Sequence, residues 1–179
     1  MIKLNLPEYS FTIRYLDTVP EIFDSIRKKY VVLTPEEWVR QNFVRYLIAE
    51  KNYPKSLLAI EKEITVNRLK KRCDVVIYNR DLKPIVIVEC KSPTVKINQE
   101  VFDQAARYNL SLNVEYLIIT NGMNHYCCTI DEENKSYKFK EEIPSFNQEF
   151  WSNINYDFPC HNLLFNIIFS LDPLRNGIY

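Results

Sequence analysis

The chain has 179 residues, zero formal net charge, and 46% hydrophobic against 26% charged residues, which is the composition of one ordinary globular domain. Only two glycines occur, Gly122 and Gly177, so the sequence excludes a glycine-rich phosphate loop and a dinucleotide fingerprint. We therefore expect neither a nucleotide cofactor nor nucleotide-driven motor activity.

The N-terminal stretch "MIKLNLPEYS" lacks the long apolar core of a signal peptide, and no segment is apolar enough to cross a membrane. The five cysteines are an odd number and include no C-x-x-C pair. These features predict a cytoplasmic protein without membrane contact, in which reduced thiols pack as small hydrophobic side chains.

Residues 1–33 are predicted to be an irregular lead-in with a short helix around Glu21–Lys29. The stretch "TPEEW" then begins a helix, with Thr34 as its N-cap and Pro35 at the first helical position. Glu37 would close a capping box, and an apolar stripe at helical spacing carries the helix to about Lys51.

Three strands follow this helix. They are predicted in "LLAIEKEITV", "CDVVIY" and "PIVIVECKS", with "NRLKKR" as the first turn and "NRDLK" as the second. Strands connected so tightly should pair antiparallel.

A second helix is predicted from about Asn98 to Leu110, followed by strands in "EYLIITNG" and "HYCCTID". The helical crossover should make the fourth strand parallel to the third, which gives a mixed central sheet flanked by helices. The order is α-β-β-β-α-β, an α/β fold. The stretch "CHNLLFNIIFSL" is predicted to be a closing helix that ends before Pro173.

Charged residues interrupt the apolar run of the third strand. Glu89 and Lys91 share one face because side chains alternate along a strand, and the hairpin places Asp74 opposite Glu89. Two adjacent carboxylates repel unless a cation lies between them, and hard oxygens are the ligands that Mg²⁺ or Mn²⁺ prefers. The alternative is structural: Lys91 pairs with Glu89 on an exposed sheet end, and Asp74 is an ordinary hairpin charge.

Asp74, followed by Glu89-Cys90-Lys91 across a hairpin, resembles the PD-(D/E)XK nuclease motif. The stretches "TPEEWVRQ", "KKRCDVVIY", "IVIVECKSP" and "FDQAARY", in this order, resemble the N-terminal nuclease domain of type I restriction enzyme R subunits. The resemblance covers residues 34–130, which leaves 1–33 and 131–179 as extensions of a single domain. Cys73 stands where the motif has proline.

The resemblance implies a restriction-endonuclease-like core that binds Mg²⁺ or Mn²⁺. Asp74 and Glu89 would be its metal ligands, together with the main-chain carbonyl of Cys90. Lys91 would be the catalytic lysine, which holds or deprotonates the attacking water.

Further residues have two interpretations each. Glu37 matches the family's first-helix acid, for which Glu36 is the competing candidate, but Glu37 also fits a capping box. Gln104 and Tyr108 match the family's Gln-x-x-x-Tyr, near the scissile phosphate, but also fit a polar helix surface. The basic residues before Asp74 are either solvated turn charges or contacts to phosphates; these are Lys70, Lys71 and Arg72.

The resemblance implies a metal-dependent DNA endonuclease domain of restriction type. Because this sequence supplies no motor, the domain would be a stand-alone nuclease, a fragment, or a partner of translocase or methyltransferase subunits. The alternative is a catalytically silent DNA-binding or assembly module of a restriction-modification system, which the neutral net charge favours. An unrelated α/β protein with a chance Glu-x-Lys is a third interpretation.

Overall fold

The N-terminal residues form a small antiparallel sheet. The computed structural model describes residues 1–66, 69–109, 114–131 and 136–146. Its first three strands are β1 (Ile13–Leu16), β2 (Val19–Asp24) and β3 (Lys29–Val32), paired in that order. The predicted helix around Glu21–Lys29 is therefore wrong.

Asp24 is the physical reason for this difference. Its Oδ1 accepts hydrogen bonds from the backbone N–H groups of Ile26 and Arg27 at 2.8 and 2.9 Å, which closes a turn where a helix would have continued. Lys28 follows with φ of 53°, a left-handed conformation that no helix contains.

Helix α1 (Pro35–Ala49) begins where the sequence predicted it. Thr34 is extended, with φ −85° and ψ 164°, and its hydroxyl accepts the backbone N–H of Glu37 at 3.0 Å. The helix ends two positions before the predicted Lys51, where the Glu50 N–H closes the last turn on the carbonyl of Tyr46 at 2.9 Å.

The central sheet has six strands in the order β4-β5-β6-β7-β8-β9, and all neighbours are antiparallel except β6 and β7. Helix α2 (Gln99–Asn109) makes the crossover between the two parallel strands. The predicted mixed α/β sheet and its α-β-β-β-α-β order are confirmed. The strands are β4 (Leu58–Val66), β5 (Leu69–Tyr78), β6 (Pro84–Cys90), β7 (Tyr116–Thr120), β8 (His125–Asp131) and β9 (Ser136–Lys140).

The basic segment before Asp74 belongs to a strand. The sequence predicted a turn over "NRLKKR", but β5 begins at Leu69, and Lys70 pairs in register with Thr65 of β4. An ion pair of 3.0 Å between Lys70 and Glu63 crosses the two strands, so opposite charges support the longer ladder. The turn prediction is therefore wrong for these residues.

The sheet is covered on both faces, as expected for a mixed sheet with a helical crossover. One apolar core joins the sheet to α1 and contains Val39, Phe43, Leu47, Val75, Ile77, Val86, Val88, Cys90 and Ile118. The other core joins it to α2 and contains Cys73, Val76, Ile87, Phe102, Ala105, Leu117, Ile119 and Cys128.

Four cysteines lie in the described part of the chain, and all four are free and buried, as predicted: Cys73, Cys90, Cys127 and Cys128. Burial raises the pKa of Cys127 and of Cys128 to about 12, so both are neutral thiols at pH 7. None of the described helices has the length and apolar composition needed to cross a membrane. The predicted closing helix over 160–171 lies outside the described residues.

Candidate functional site

Asp74 lies against the end of β6. Val75 pairs with Val88 in the β5–β6 ladder, so the next position along places Asp74 beside Glu89, as the sequence predicted. Oδ2 of Asp74 accepts a hydrogen bond of 2.7 Å from the backbone N–H of Cys90. The Asp74 carboxylate therefore contacts the peptide that joins Glu89 to Cys90.

Glu89 and Cys90 point to opposite faces of the sheet. Val88 and Cys90 belong to the core under α1, whereas the cross-strand partner of Glu89, Ile119, belongs to the core under α2. Glu89 therefore points to the α2 face, where only 9% of its surface is exposed. A carboxylate this buried requires a polar or charged environment.

Lys91 continues the ladder one residue beyond the end of β6. Its backbone N–H donates to the carbonyl of Thr120 at 2.8 Å, which fixes the main chain at the sheet end. Its side chain is half-buried.

Glu37 does not use its carboxylate to complete a capping box. Oε1 accepts from Gln41 Nε2 at 2.7 Å, and Oε2 pairs with Nη2 of Arg40. Only 4% of Glu37 is exposed. Arg40 Nη1 lies 4.0 Å from Oδ1 of Asp74, so one guanidinium separates the first-helix acid from the candidate metal ligand.

Glu61 is a member of this site that the sequence analysis missed. Its Oε1 lies 3.0 Å from Nη1 of Arg40, on the α1 face, although the preceding Ile60 packs into the same face. Two consecutive residues can share a face because Glu61 has φ of 50°, which interrupts the alternation of β4. The sequence "AIEKE" contains no glycine to mark such a break.

Charge compensation lowers the pKa of Glu61. Burial alone would raise the pKa, but the hydrogen bond from Arg40 and the positive charges of Arg40 and Arg27 outweigh it. Arg27 pairs with both Glu61 and Glu37, and its Nε lies 2.6 Å from Oδ2 of Asp24. The N-terminal sheet is thereby connected to the candidate site through partly buried ion pairs.

The candidate ligands suit a hard divalent cation. Asp74 and Glu89 supply carboxylate oxygens, and the main-chain carbonyl of Cys90 belongs to the same strand end. Burial and the charge of Asp74 raise the pKa of the Cys90 thiol well above its ordinary value, so this sulfur is a neutral thiol. The described residues contain no group of three or more His, Cys, Asp or Glu side chains placed to hold a metal.

The other predicted site residues belong to β5 and to α2. Lys70 and Arg72 are 72% and 69% exposed, and Arg72 is 3.8 Å from Glu61. The backbones of Gln104 and Tyr108 belong to α2, on the face of the sheet to which Glu89 points. The side chains of Gln104, Tyr108 and Lys71 lie outside the described structure.

The mixed sheet and the helices that cover its two faces define an α/β domain. The chain belongs to the family described as the type I restriction enzyme R protein N terminus (HSDR_N), whose model matches residues 35–144. The match extends beyond the predicted limit at residue 130 and includes β9. The first 34 residues, with the small N-terminal sheet, lie outside it.

Among solved structures, the chain is similar to a fragment of a protein assigned as an HsdR subunit of a type I restriction enzyme from Vibrio vulnificus YJ016, with 21% identity and a TM-score of 0.46. The similarity covers 63% of this chain but only 24% of that one. No curated protein matches the chain.

Proposed function

We propose that this domain is a metal-dependent DNA endonuclease that hydrolyses phosphodiester bonds. The observation that carries the proposal is the 2.7 Å hydrogen bond between Cys90 N and Asp74 Oδ2, because it brings the two halves of the acidic motif to one end of the sheet. Asp74 and Glu89 would hold Mg²⁺ or Mn²⁺ through their carboxylates, and Cys90 would hold it through its carbonyl. A bound divalent ion would polarise the phosphate and lower the pKa of water.

Lys91 has the proton-transfer role in this proposal. Its side chain is half-buried at the end of β6, and its backbone N–H is held by the carbonyl of Thr120, so the side chain extends from a fixed origin. The side chain would hold the attacking water or, as the neutral amine, take its proton. Gln104 and Tyr108 are proposed to contact the substrate near the scissile phosphate.

The exposed cations of β5 would bind the DNA backbone. Lys70 lies four positions before Asp74, which corresponds to about 13 Å along a strand. Lys70, Lys71 and Arg72 would contact phosphates, and such contacts position DNA without reading its sequence.

Family membership suggests that the domain works within a type I restriction system. We propose that DNA is the substrate and that translocase and methyltransferase subunits or domains are the partners. The four free, buried cysteines of the described residues fit the predicted cytoplasmic location.

Two substitutions test the proposal. Supercoiled and linear DNA would be incubated with the wild type and both variants, in Mg²⁺, Mn²⁺ or EDTA, while calorimetry measures Mn²⁺ binding. Glu89→Ala should abolish both Mn²⁺ binding and cleavage, because one remaining carboxylate holds the ion poorly. Lys91→Ala should retain Mn²⁺ and still lose cleavage.

Cleavage by Lys91→Ala at the wild-type rate would contradict the assigned role of this lysine. A wild type that binds DNA but neither binds Mn²⁺ nor cuts, even with its partner subunits, would support the alternative of a catalytically silent module. The zero net charge of the chain is the observation that favours this alternative.

A further inference from the structure

Asn121 attaches the loop that follows Lys91 to the end of β7. Its Nδ2 donates a hydrogen bond of 2.8 Å to the carbonyl of Val95. The residue before it, Thr120, ends β7, and its carbonyl accepts the backbone N–H of Lys91 at 2.8 Å. Two consecutive residues therefore hold the loop, one at Lys91 and the other at Val95.

The backbone between these two attachments forms a tight turn. The backbone N–H of Val95 donates to the carbonyl of Ser92 at 2.9 Å, and Pro93 follows Ser92, at the turn position that proline favours. A turn this short moves as a unit. Without the bond from Asn121, the loop would be held to β7 by the Lys91 N–H alone and could rotate about that attachment.

Both ends of the Asn121 carboxamide have partners. Oδ1 accepts the backbone N–H groups of Met123 and Asn124 at 3.0 and 2.8 Å, which closes the turn between β7 and β8. An amide supplies an acceptor and a donor together, so one side chain joins this turn to the loop after β6. Only 3% of Asn121 is exposed, so water cannot readily replace the bond to Val95.

The same loop leads from Lys91 to α2. Oδ1 of Asn98 accepts the backbone N–H of Val101 at 3.0 Å and so caps the start of this helix. The position of the loop therefore affects the side chain proposed to handle the attacking water. It also affects the helix that carries Gln104 and Tyr108.

We propose that Asn121 is a positioning residue for Lys91, which holds the loop after β6 so that the lysine side chain reaches the attacking water. The inference rests on the proposed function, because Asn121 has no chemical step of its own. A displacement of about 1 Å can slow an enzymatic reaction about 100-fold. Asp74 and Glu89 belong to paired strands, so their hold on a metal ion should not depend on Asn121.

Two substitutions remove the donor and keep an acceptor. Asn121→Asp retains an oxygen for the N–H groups of Met123 and Asn124, and Asn121→Ser retains a shorter one. At neutral pH both should cut plasmid DNA about 100-fold more slowly than the wild type at saturating Mn²⁺. Their KM for DNA and their Mn²⁺ affinity by calorimetry should stay unchanged. The full chain is used, with partner subunits added if the wild type needs them to cut.

Asn79→Asp is the matched control. Oδ1 of Asn79 accepts the backbone N–H groups of Asp81 and Lys83 at 3.0 and 2.9 Å in the turn between β5 and β6, and the residue is 4% exposed. This turn lies at the other end of β6, away from Lys91. The control should keep the wild-type cleavage rate.

The pH dependence of cleavage separates positioning from general damage. Once protonated, the carboxyl group introduced by Asn121→Asp has a carbonyl acceptor and an O–H donor, which is the pattern of the original amide. Its cleavage rate relative to that of the wild type at the same pH should therefore rise as the pH is lowered. The relative rate of Asn121→Ser should stay constant.

Hydrogen exchange tests the attachment without cleavage. The backbone N–H groups of Lys91 and Val95 should exchange faster in both Asn121 variants than in the wild type, while those of β5 keep their rates. Unchanged exchange at Lys91 and Val95 would overturn the inference.

Wild-type cleavage rates in both Asn121 variants would overturn the inference and leave the proposed nuclease intact. An equal loss of cleavage in Asn79→Asp would do the same, because any buried turn of this kind would then matter. Failure of both Asn121 variants to fold would also overturn it, since Asn121 would then support the whole domain rather than Lys91. A wild type that does not cut DNA would overturn the proposed function and this inference together.

Discussion

The backbone N–H of Cys90 donates a 2.7 Å hydrogen bond to the carboxylate of Asp74, across a separation of 16 residues. The contact joins β5 to the end of β6 just beyond the last paired residues of their ladder, Val75 and Val88. Asp74 thus stabilises the contact between β5 and the end of β6, in addition to its proposed role as a metal ligand. Substitutions that differ in their ability to accept this hydrogen bond can separate the structural role from the metal-binding role.

Asp74→Asn should lose Mn²⁺ affinity while it keeps most of its stability. The amide oxygen of asparagine can still accept the Cys90 N–H, but it is a neutral and weaker ligand for a divalent ion. Asp74→Ala should lose both properties, with about 1 kcal/mol less stability because the Cys90 N–H loses its partner. Urea denaturation would measure stability, and calorimetry would measure Mn²⁺ binding. Equal stability of the two variants would show that the hydrogen bond to Cys90 does not stabilise the protein.

Glu37→Gln should lower the free energy of unfolding by about 3 kcal/mol, because removal of one partner from a buried ion pair leaves charge uncompensated. The affected charges are those of Arg27 and Arg40. Glu36→Gln is the matched control, since Glu36 lies in the same helical turn and is exposed. Its effect should stay within about 0.5 kcal/mol. Equal losses of stability in the two variants would contradict the buried network.

The stability of the protein should fall in acid partly through Glu61. Its pKa in the folded state lies below the ordinary value of 4.5, so its stabilising contribution is complete above pH 4.5. As the pH falls from 4.5 through the lowered pKa, the unfolded chain binds a proton before the native state does. The contribution of Glu61 to the free energy of unfolding is therefore lost over this range.

Glu61→Gln should therefore be less stable than the wild type at pH 7 and should show a flatter decline below pH 4.5. Denaturation midpoints measured between pH 3 and pH 7 would test this expectation. Glu63→Gln serves as a control, because the Glu63 side chain is 57% exposed and pairs only with exposed Lys70 among the described residues. A Glu61→Gln curve parallel to that of the wild type would show that Arg40 and Arg27 do not stabilise the Glu61 charge.

DNA binding by the isolated chain should be weak and should fall steeply with salt, since the net charge is zero and only a few local cations are available. Lys70→Gln should weaken binding similarly for all DNA sequences and reduce the slope of log affinity against log salt by about 1. Lys55→Gln, at the opposite end of β4, should leave the slope unchanged. Fluorescence anisotropy at several salt concentrations would compare them, and the same slope for all three proteins would exclude a phosphate contact at Lys70.

The local sequence determined the elements that carry the candidate site. Thr34 and Pro35 predicted the start of α1 to the residue, because a capping side chain and a preset φ act within one turn. The hairpin between β5 and β6 predicted that Asp74 lies beside Glu89, because a short turn fixes the register of its two strands. Family membership also followed from motifs carried by these few elements.

Only the tertiary structure decided how the charges are distributed around that site. Residues 21–29 form strands and a turn rather than a helix, because the Asp24 side chain binds two backbone N–H groups and pairs with Arg27. The break in β4 that turns Glu61 toward Arg40 has no marker in the sequence. Ion pairs among α1, β4 and β5 depend on distances in space between residues remote in the chain, and neither periodicity nor turn chemistry encodes such distances.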